Sequence, residues 1–445
     1  MMRQWLTCAA LVAAALAASG PARAAPKDPA EARMVAAVEA DHDRNVKLLE
    51  ALVRVNSGTM NLVGVEQVGR MLTPEFEQLG FTVRWVPMAK VGRAGHLIAT
   101  HKGSGKGKRI LLIGHLDTVF EPDSPFQGWK RTGDIVEGPG VGDMKGGDVV
   151  IVAALRAMQA AGTLKNADIT IVLTGDEEKP GAPLAEARAD LIAAAKVSDV
   201  ALDFEGLSQS GGQDIGSIAR RSSTSWTIRA KARSGHSSGV CKPAAGCGAI
   251  YELARIVDEF RRELPEPNLT YNVGLIVGGT SAELNAGDTG GGATGKPNVI
   301  AADAIARGDI RTLSPEQEER VRAKMKTIVG RHLDKAEAAI EFSDDGCPPM
   351  APTEGNRALL ARLNDVNKTL GLPEMPAGDP ANRGAGDISF VAFIDGLVGL
   401  GMAGEGSHAP GETADLRSLD RQAKRAALLM TRLSKEPRPR SAAKR

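Results

Sequence analysis

The feature that most constrains the fold is a series of short, mainly apolar segments that are separated by helical patterns. Three such segments lie at 110–114 ("ILLIG"), 168–174 ("DITIVLT") and 200–204 ("VALDF"). A strand with consecutive apolar residues, and therefore apolar residues on both faces, is typical of a parallel sheet that is covered on both sides. Helical patterns at 148–161 and 184–195 lie between these segments. The alternation predicts an α/β fold with a mostly parallel sheet flanked by helices.

Further elements surround this core. Periodicity predicts two kinds of element outside it, helices over 31–55, 65–79, 356–370 and 420–433, and strands over 81–86 and 96–101. Near residue 217 the pattern changes, because "SSTSWTIRAKA" alternates with a period of two, as a half-exposed antiparallel strand does. We therefore predict an inserted α+β domain over 217–341, with helices at 249–263 and 315–333. The α/β domain would be discontinuous, over 25–216 and 342–435.

The sequence patterns at the two ends of the chain differ from those of the folded domains. Arg3, an apolar stretch over 6–18 and the triplet Ala22-Arg23-Ala24 predict a secretory signal peptide, residues 1–24, with cleavage after Ala24. Such a protein would be periplasmic or secreted, with no membrane span in the mature chain. The alternative is a buried N-terminal helix. The basic, proline-containing residues 436–445 predict a disordered tail.

The composition argues against one class of partner, and the cysteines leave the presence of a disulfide undecided. Among 445 residues, 42% are hydrophobic and 24% charged, and the formal net charge of +1 argues against nucleic acid as a partner. An oxidising compartment would permit a disulfide between Cys241 and Cys247, which leaves Cys347 unpaired. No second pair accompanies them, so they do not resemble a zinc knuckle. The sequence does not decide whether the bridge forms.

A phosphate-loop pattern occurs in the inserted segment. "GGGATGK", residues 290–296, has the required glycine and lysine spacing. However, Pro297 occupies the position of the required serine or threonine, and no strand leads directly into the loop. A flexible glycine-rich insertion is the better interpretation, and nucleotide-driven chemistry is the alternative.

Polar clusters follow the apolar segments and a late loop. They are His115 and Asp117 in "GHLDT", Asp143 in "GPGVGDMKGG", Glu177 and Glu178 in "LTGDEEK", Asp203 and Glu205 in "ALDFEG", and His408 in "GEGSHAPGE". Each alone is consistent with a cap or a turn. In an open α/β sheet, however, ligands bind at the carboxyl ends of the strands. Two imidazoles with several carboxylates suit zinc, cobalt or manganese, so we predict a metal site.

These motifs resemble those of the di-zinc metallopeptidase and deacylase family that contains glutamate carboxypeptidase, aminoacylase, acetylornithine deacetylase and succinyl-diaminopimelate desuccinylase. The resemblance extends over essentially the whole mature chain. It implies two zinc ions per subunit, with cobalt or manganese as alternatives. By this resemblance His115 and Glu205 hold one ion, Glu178 and His408 hold the other, and Asp143 bridges both.

The same resemblance assigns roles near the metals. Asp117 would orient His115, and Glu177 would be the general base. Glu205 is chosen over Asp203 because "FEG" resembles the family's Phe-Glu-Pro, although a glycine replaces the proline here.

In the inserted domain, which in this family dimerises and covers the active site, "SGHSSG" resembles the family's histidine motif. It implies that His236 reaches the partner subunit's site and stabilises an oxyanion; from the residues alone, His236 is a surface histidine. "KPNVIAADAIARGDIR" resembles a pattern that assigns Asn298 and Arg311 to the substrate carboxylate, for which a planar guanidinium is suited. "GAGDIS" resembles the family's substrate loop, with Gly384 and Gly386. A homodimer is thereby implied.

The predicted reaction is zinc-dependent hydrolysis of an amide, in a peptide or an N-acyl amino acid, adjacent to a free carboxylate. The export signal favours a scavenging enzyme similar to glutamate carboxypeptidase. One alternative is an N-acyl amino acid deacylase of the acetylornithine or succinyl-diaminopimelate type. Another is an inactive exported peptide-binding protein, against which the presence of Glu177 argues.

Overall fold

The computed structural model describes residues 26–438. The predicted signal peptide and its cleavage site lie outside these residues. The helices in the described range are α1 (Pro29–Ala40), α2 (His42–Val53), α3 (Leu62–Glu77), α4 (Lys145–Ala160), α5 (Leu184–Ala187), α6 (Ala189–Lys196), α7 (Ala249–Glu263), α8 (Pro315–Val329), α9 (Glu354–Thr369) and α10 (Leu416–Leu433).

The strands of the same range form five sheets. They are β1 (Thr82–Pro87), β2 (Gly95–His101), β3 (Arg109–His115), β4 (Lys130–Thr132), β5 (Ile135–Glu137), β6 (Asp168–Thr174), β7 (Val200–Asp203), β8 (Ser208–Ser210), β9 (Gln213–Ile215), β10 (Thr224–Ala232), β11 (Thr270–Gly279), β12 (Ser281–Leu284), β13 (Gly291–Thr294), β14 (Asp303–Arg311), β15 (Ala336–Phe342), β16 (Asp395–Val398), β17 (Gly404–Glu405) and β18 (Thr413–Asp415).

The largest sheet has six strands in the order β1-β2-β6-β3-β7-β16. The four strands β6, β3, β7 and β16 are parallel, and β2 and β1 add an antiparallel edge. The prediction of a mostly parallel sheet is therefore confirmed. In the register, His115 pairs with Thr174 and Ile113 pairs with Asp203, so β3, β6 and β7 end at one edge of the sheet.

Both faces of this sheet are covered, as the apolar strands require. In β3, Ile110 and Leu112 belong to the large core that includes α4 and α10. Leu111 and Ile113 point to the opposite face and pack in the core that includes α6. Because consecutive strand residues alternate between faces, only a strand without polar residues can fill both cores.

A second sheet is fully antiparallel, in the order β11-β14-β10-β15. Helices α7 and α8 pack against one of its faces, where Trp226 meets Phe260 edge to face with ring centroids 5.8 Å apart. Strands β12 and β13 pair as a hairpin that includes most of the "GGGATGK" motif. This segment does not lead from a strand into a helix, so the phosphate-loop interpretation is wrong.

The single helix predicted over 31–55 is wrong. It is divided into α1 and α2 at Asp41, and both helices keep their apolar residues on the large core, so the periodicity continues across the break. The helix predicted over 184–195 is likewise divided, at Arg188. The Arg188 side chain is 1% exposed and pairs with Asp176 and Asp387, which holds the chain at this point.

Two further features concern the chain ends and the cysteines. Residues 436–438 of the predicted tail are ordered, because Glu436 pairs with Lys108 and Arg438 pairs with Asp168. Residues 439–445 lie outside the described range. Cys241 and Cys247 form the disulfide that the sequence left open. No helix between residues 26 and 438 is long and apolar enough to cross a bilayer.

Candidate metal centre

The centre lies where β3, β6 and β7 end. His115 is the last residue of β3, is 1% exposed, and its Nε2 lies 3.1 Å from Asp143 Oδ1. Asp143 precedes α4 in a glycine-rich turn. Glu205, just beyond β7, places Oε1 3.6 Å from the same His115 nitrogen. The parallel register thus brings these three side chains together from distant parts of the chain.

A second group forms around His408. This residue lies in the loop between β17 and β18 and has a φ of 66°, in the left-handed region. Its Nε2 is 3.1 Å from Asp143 Oδ2 and 3.1 Å from Glu178 Oε2. Asp143 therefore faces one imidazole with each of its carboxylate oxygens. This is the arrangement expected of a carboxylate that bridges two ions.

The predicted ligands fit a pair of divalent cations. Tetrahedral zinc with bonds of about 2.0–2.1 Å places its ligand atoms roughly 3.3 Å apart, close to the separations described above. In the described part of the chain, Glu178 Oε1 is buried and has no hydrogen-bond partner. A buried carboxylate oxygen without a partner is costly unless a cation binds it. Donor atoms of His115, Glu177 and Glu205 also lie within 4.8 Å of one another, so Glu177 borders the first site.

The electrostatics of the ion-free centre also favour cations. Hydrogen bonds to Asp143 and Glu178 raise the pKa of His408 to about 11. Burial opposes the charge of His115, but hydrogen bonds to Asp117, Asp143 and Glu205 outweigh it and hold its pKa well above the ordinary value. Burial alone would raise the pKa of Asp143, whereas the two imidazoles lower it. Metal binding would release these protons, because ligands bind in their deprotonated forms.

Glu177 has the properties of a proton carrier. It lines a cavity of about 250 Å³ together with Asp143, Glu205 and His408. Burial raises its pKa well above the ordinary value, and the nearby charge of Glu205 raises it further. A carboxyl group whose pKa is shifted upwards is suited to accept and return a proton near neutral pH.

Asp117 organises more of the centre than the sequence suggested. Its buried carboxylate accepts hydrogen bonds from the backbone N–H of Glu177 (3.1 Å) and Glu178 (3.2 Å) and from the Thr59 hydroxyl (2.6 Å). His115 Nδ1 lies 3.1 Å from the main-chain oxygen of Asp117 and 3.5 Å from its carboxylate. Asp117 thus contacts the His115 ring and also fixes the loop that carries both glutamates.

Two residues at the centre were missed in the sequence. Glu412 accepts hydrogen bonds from the backbone N–H of Gly140 (2.9 Å), Gly142 (2.7 Å) and Asp143 (2.9 Å). Its position four residues after His408 is the only local signal. Arg220 donates to the carbonyl oxygens of Gly384 (2.7 Å) and Ala385 (2.6 Å). No local pattern distinguishes Arg220 from the neighbouring arginine.

Arg220 also lies close to two acidic residues at the end of β7, Asp203 in the strand and Glu205 just beyond it. Its Nη1 lies 3.8 Å from Asp203 Oδ2 and 3.9 Å from Glu205 Oε1. Burial raises the pKa of Asp203 to about 7, and the charge of Glu205 adds to this shift. Only Glu205 approaches His115, which agrees with the choice of Glu205 over Asp203.

The predicted substrate residues fall into two places. A side chain at Gly384 would come within 3.8 Å of Arg311 Nη1, so Arg311 lies beside the 384–386 loop. Gly386 packs against the Arg220 guanidinium, where a Cβ atom would approach to 2.6 Å. Gly384 and Arg220 line the small cavity.

His236 and Asn298 lie elsewhere, in the segment that carries the second sheet. His236 is exposed, and its Nδ1 is 2.8 Å from Ser238 Oγ. The Asn298 carbonyl accepts the N–H of Ser237 at 2.9 Å, so the two residues are neighbours. Among the described residues of one chain, neither is hydrogen-bonded or ion-paired to a residue of the metal centre.

Two known proteins are similar to this chain over most of its length. Carboxypeptidase G2 of Pseudomonas sp. (strain RS-16) is 28% identical over 402 residues, 86% of this chain and 88% of that protein. Succinyl-diaminopimelate desuccinylase of Novosphingobium aromaticivorans is 29% identical over 373 residues, 79% of this chain and 90% of the relative.

A solved structure shows the same fold. Aminopeptidase PepT from Bacillus cereus matches with a TM-score of 0.68 and 19% identity, over 88% of this chain and 98% of that one. Residues 111–432 match the profile of peptidase family M20/M25/M40, which is most of the chain. The chain therefore belongs to peptidase family M20/M25/M40 and is a metallohydrolase that acts on peptide or amide bonds.

Proposed function

We propose that the protein is a di-zinc hydrolase that cleaves an amide adjacent to a free carboxylate, in peptides or N-acyl amino acids. The observation that carries the proposal is Asp143 between two imidazoles, with Glu177 in the same cavity. The names of the two relatives, a carboxypeptidase and a desuccinylase, support a substrate with a carboxylate.

In this proposal His115 and Glu205 would hold one ion, Glu178 and His408 would hold the other, and Asp143 would serve both. When bound, the ions polarise the scissile carbonyl and lower the pKa of a water molecule. The Glu177 carboxylate accepts the proton of the attacking water and then delivers it to the nitrogen of the leaving amine. Asp117 keeps Glu177 in position through the backbone hydrogen bond described above.

Arg311 and the 384–386 loop would bind the substrate carboxylate. Arg311 Nε pairs with Asp309 at 3.0 Å, which fixes the side chain and leaves its Nη atoms available. Gly384 and Gly386 supply space beside Arg311 and Arg220. A carboxylate at this place would align the scissile amide with Glu177.

His236 would act in the partner subunit's site, where its ring would donate to the oxyanion. This requires a homodimer. The edge strand β11 carries the exposed Ile276, and the adjacent helix α7 carries Ile250 and Tyr251, which are 46% and 58% exposed. Apolar residues beside an unpaired strand edge favour self-association. The molecular mass in solution tests this, and monomers with full activity would contradict it.

Export is part of the same proposal. The leader pattern over 1–24 favours a periplasmic or secreted enzyme that scavenges peptides, over a cytosolic biosynthetic deacylase. The N-terminal sequence of the protein recovered from cells tests the cleavage site after Ala24.

The decisive variant is Glu177→Ala. It should bind both ions with unchanged stoichiometry and lose about 10²–10⁴-fold in kcat, the usual contribution of a general acid–base. Glu186→Ala, an exposed position in α5, is the matched control. Metal content and turnover are measured on the same samples. A Glu177→Ala enzyme with near wild-type turnover would exclude Glu177 as the base.

Substrate class is tested with a panel. Dipeptides with a free C-terminal carboxylate should be hydrolysed, and the same dipeptides with a C-terminal carboxamide should not, because Arg311 would lack its partner. N-acetyl and N-succinyl amino acids in the same panel test the deacylase alternative. Dialysis against a chelator should abolish turnover, and added zinc should restore it.

A further inference from the structure

A second, larger cavity adjoins the metal centre. The cavity that contains Glu177 measures about 250 Å³, and the adjoining one about 510 Å³. Four residues line both of them, Gly206, Asn382, Arg383 and Ser407. We call the larger one the side chamber. Its remaining walls come from the β8–β9 region, the 377–379 segment and the turn before β17.

The cavity at the metals is smaller than the sites that usually hold a drug-sized ligand. Ligand sites usually measure about 300–1,000 Å³, and the smaller cavity falls below this range. The part of the substrate that carries the carboxylate would point to Gly384 and Arg311, and Gly384 lines only the smaller cavity. The acyl part lies on the other side of the scissile bond, so the side chamber is the space available to it.

Arg383 lies where the two cavities meet, and some of its N–H donors have no hydrogen-bond partner in the described structure. Its Nη2 donates to the Gly206 carbonyl at 3.3 Å, and its Nε is buried without a hydrogen-bond partner in the described structure. No carboxylate of residues 26–438 lies within ion-pair distance of it. Since a guanidinium has five donors and stays charged, Arg383 suits an acceptor group supplied by a ligand.

The walls of the side chamber indicate the chemistry of that ligand. Ser208, Ser210 and Ser217 line the chamber, and polar residues of this kind suit a peptide-like chain better than an aliphatic one. Asp379 also borders the chamber, which disfavours a second acidic group at its far end.

We propose that the side chamber binds the acyl portion of the substrate, that this portion extends at least one residue beyond the scissile carbonyl, and that it offers a carbonyl or carboxylate oxygen to Arg383. The protein would therefore be selective for peptidyl amino acids over short N-acyl amino acids. This inference rests on the proposed function.

The test compares two substrates that share one leaving amino acid, one with an N-acetyl group and one with an N-acetyl-diglycyl group. The wild-type kcat/KM should be at least about tenfold higher for the longer substrate, the usual size of a pocket contribution. Ala377→Trp would fill the chamber from an exposed position in its wall. It should remove the preference for length and leave the acetyl substrate unchanged.

Two further variants complete the design. Ala381→Trp is the matched control, because Ala381 is exposed in the same loop but lines neither cavity, and it should keep the wild-type preference. Arg383→Gln should lower kcat/KM for the longer substrate more than for the acetyl substrate, because only the longer one offers an acceptor to the guanidinium. Equal kcat/KM for both substrates in the wild type, or an equal loss on both in Ala377→Trp, would overturn the role of the chamber. Failure to hydrolyse either substrate would instead overturn the proposed function.

Discussion

Replacing Glu412 should weaken the metal centre although Glu412 binds no metal. Its side chain is buried, at 1% exposure, and accepts the three backbone hydrogen bonds of the 140–143 turn described above. Glu412 belongs to the same loop as His408, and Asp143 belongs to the turn that it holds. One carboxylate thus connects two ligands that are far apart in the sequence.

The magnitude follows from the groups that would be left without partners. Glu412→Ala leaves three backbone N–H groups unpaired, at about 1–3 kcal/mol each if they stay buried. Because water can enter the space and the turn can relax, we expect a loss of about 3 kcal/mol in the free energy of unfolding. Glu412→Gln keeps one acceptor oxygen and places an amide against the remaining N–H, so the loss should be about half as large. Displacement of Asp143 should weaken metal binding by roughly 10–100-fold.

The assay is competition with a chelator, which gives the affinity for each ion independently of turnover, together with thermal unfolding of the metal-free and metal-loaded proteins. Glu405→Gln is the matched control, since Glu405 lies exposed in β17 of the same loop. Wild-type metal affinity in Glu412→Ala would refute the argument that this carboxylate positions Asp143.

Two further predictions concern other acidic residues. Asp117→Asn should lose about 10–100-fold in activity or metal affinity, because its amide would face a backbone N–H of the Glu177–Glu178 loop; unchanged kcat and metal content would contradict this. Asp199 pairs with Arg109 at 2.7 Å, and the Asp199 side chain is 6% exposed. Burial alone would raise the pKa of Asp199, but the ion pair with Arg109 holds this pKa below 3.8. Asp199→Asn should therefore cost about 1.5–3 kcal/mol at pH 7. The difference in the free energy of unfolding between the wild type and Asp199→Asn should disappear as the pH falls below 3.8 and through the pKa of Asp199 in the folded protein. A difference that stays constant down to pH 2 would exclude the ion pair as its source.

Local sequence patterns were sufficient to predict the mostly parallel sheet. Residues 110–113 and 171–173 are consecutive apolar residues, so a strand covered on both faces is the structure that satisfies them. The same patterns located His115, Glu177 and Glu205 at strand ends, where a parallel sheet collects ligands. The prediction of a metal centre needed only this order of elements and the donor types.

Other features depend on contacts between distant segments. The break at Arg188 follows from ion pairs with Asp176 and Asp387, and the periodicity of the segment carries no sign of either. Glu412 and Arg220 act through backbone groups of other loops. Every residue type has these groups, so the sequence carries no sign of such a contact. The two contacts of Asp143, and the chamber beside it, likewise depend on how loops from residues 143, 206, 383 and 408 pack. The sequence by itself determined which chemical groups follow each strand, because side-chain type and local periodicity are read along the chain. Only the tertiary structure decided which of them meet, because hydrogen bonds and cavities are formed between segments that approach one another only after folding.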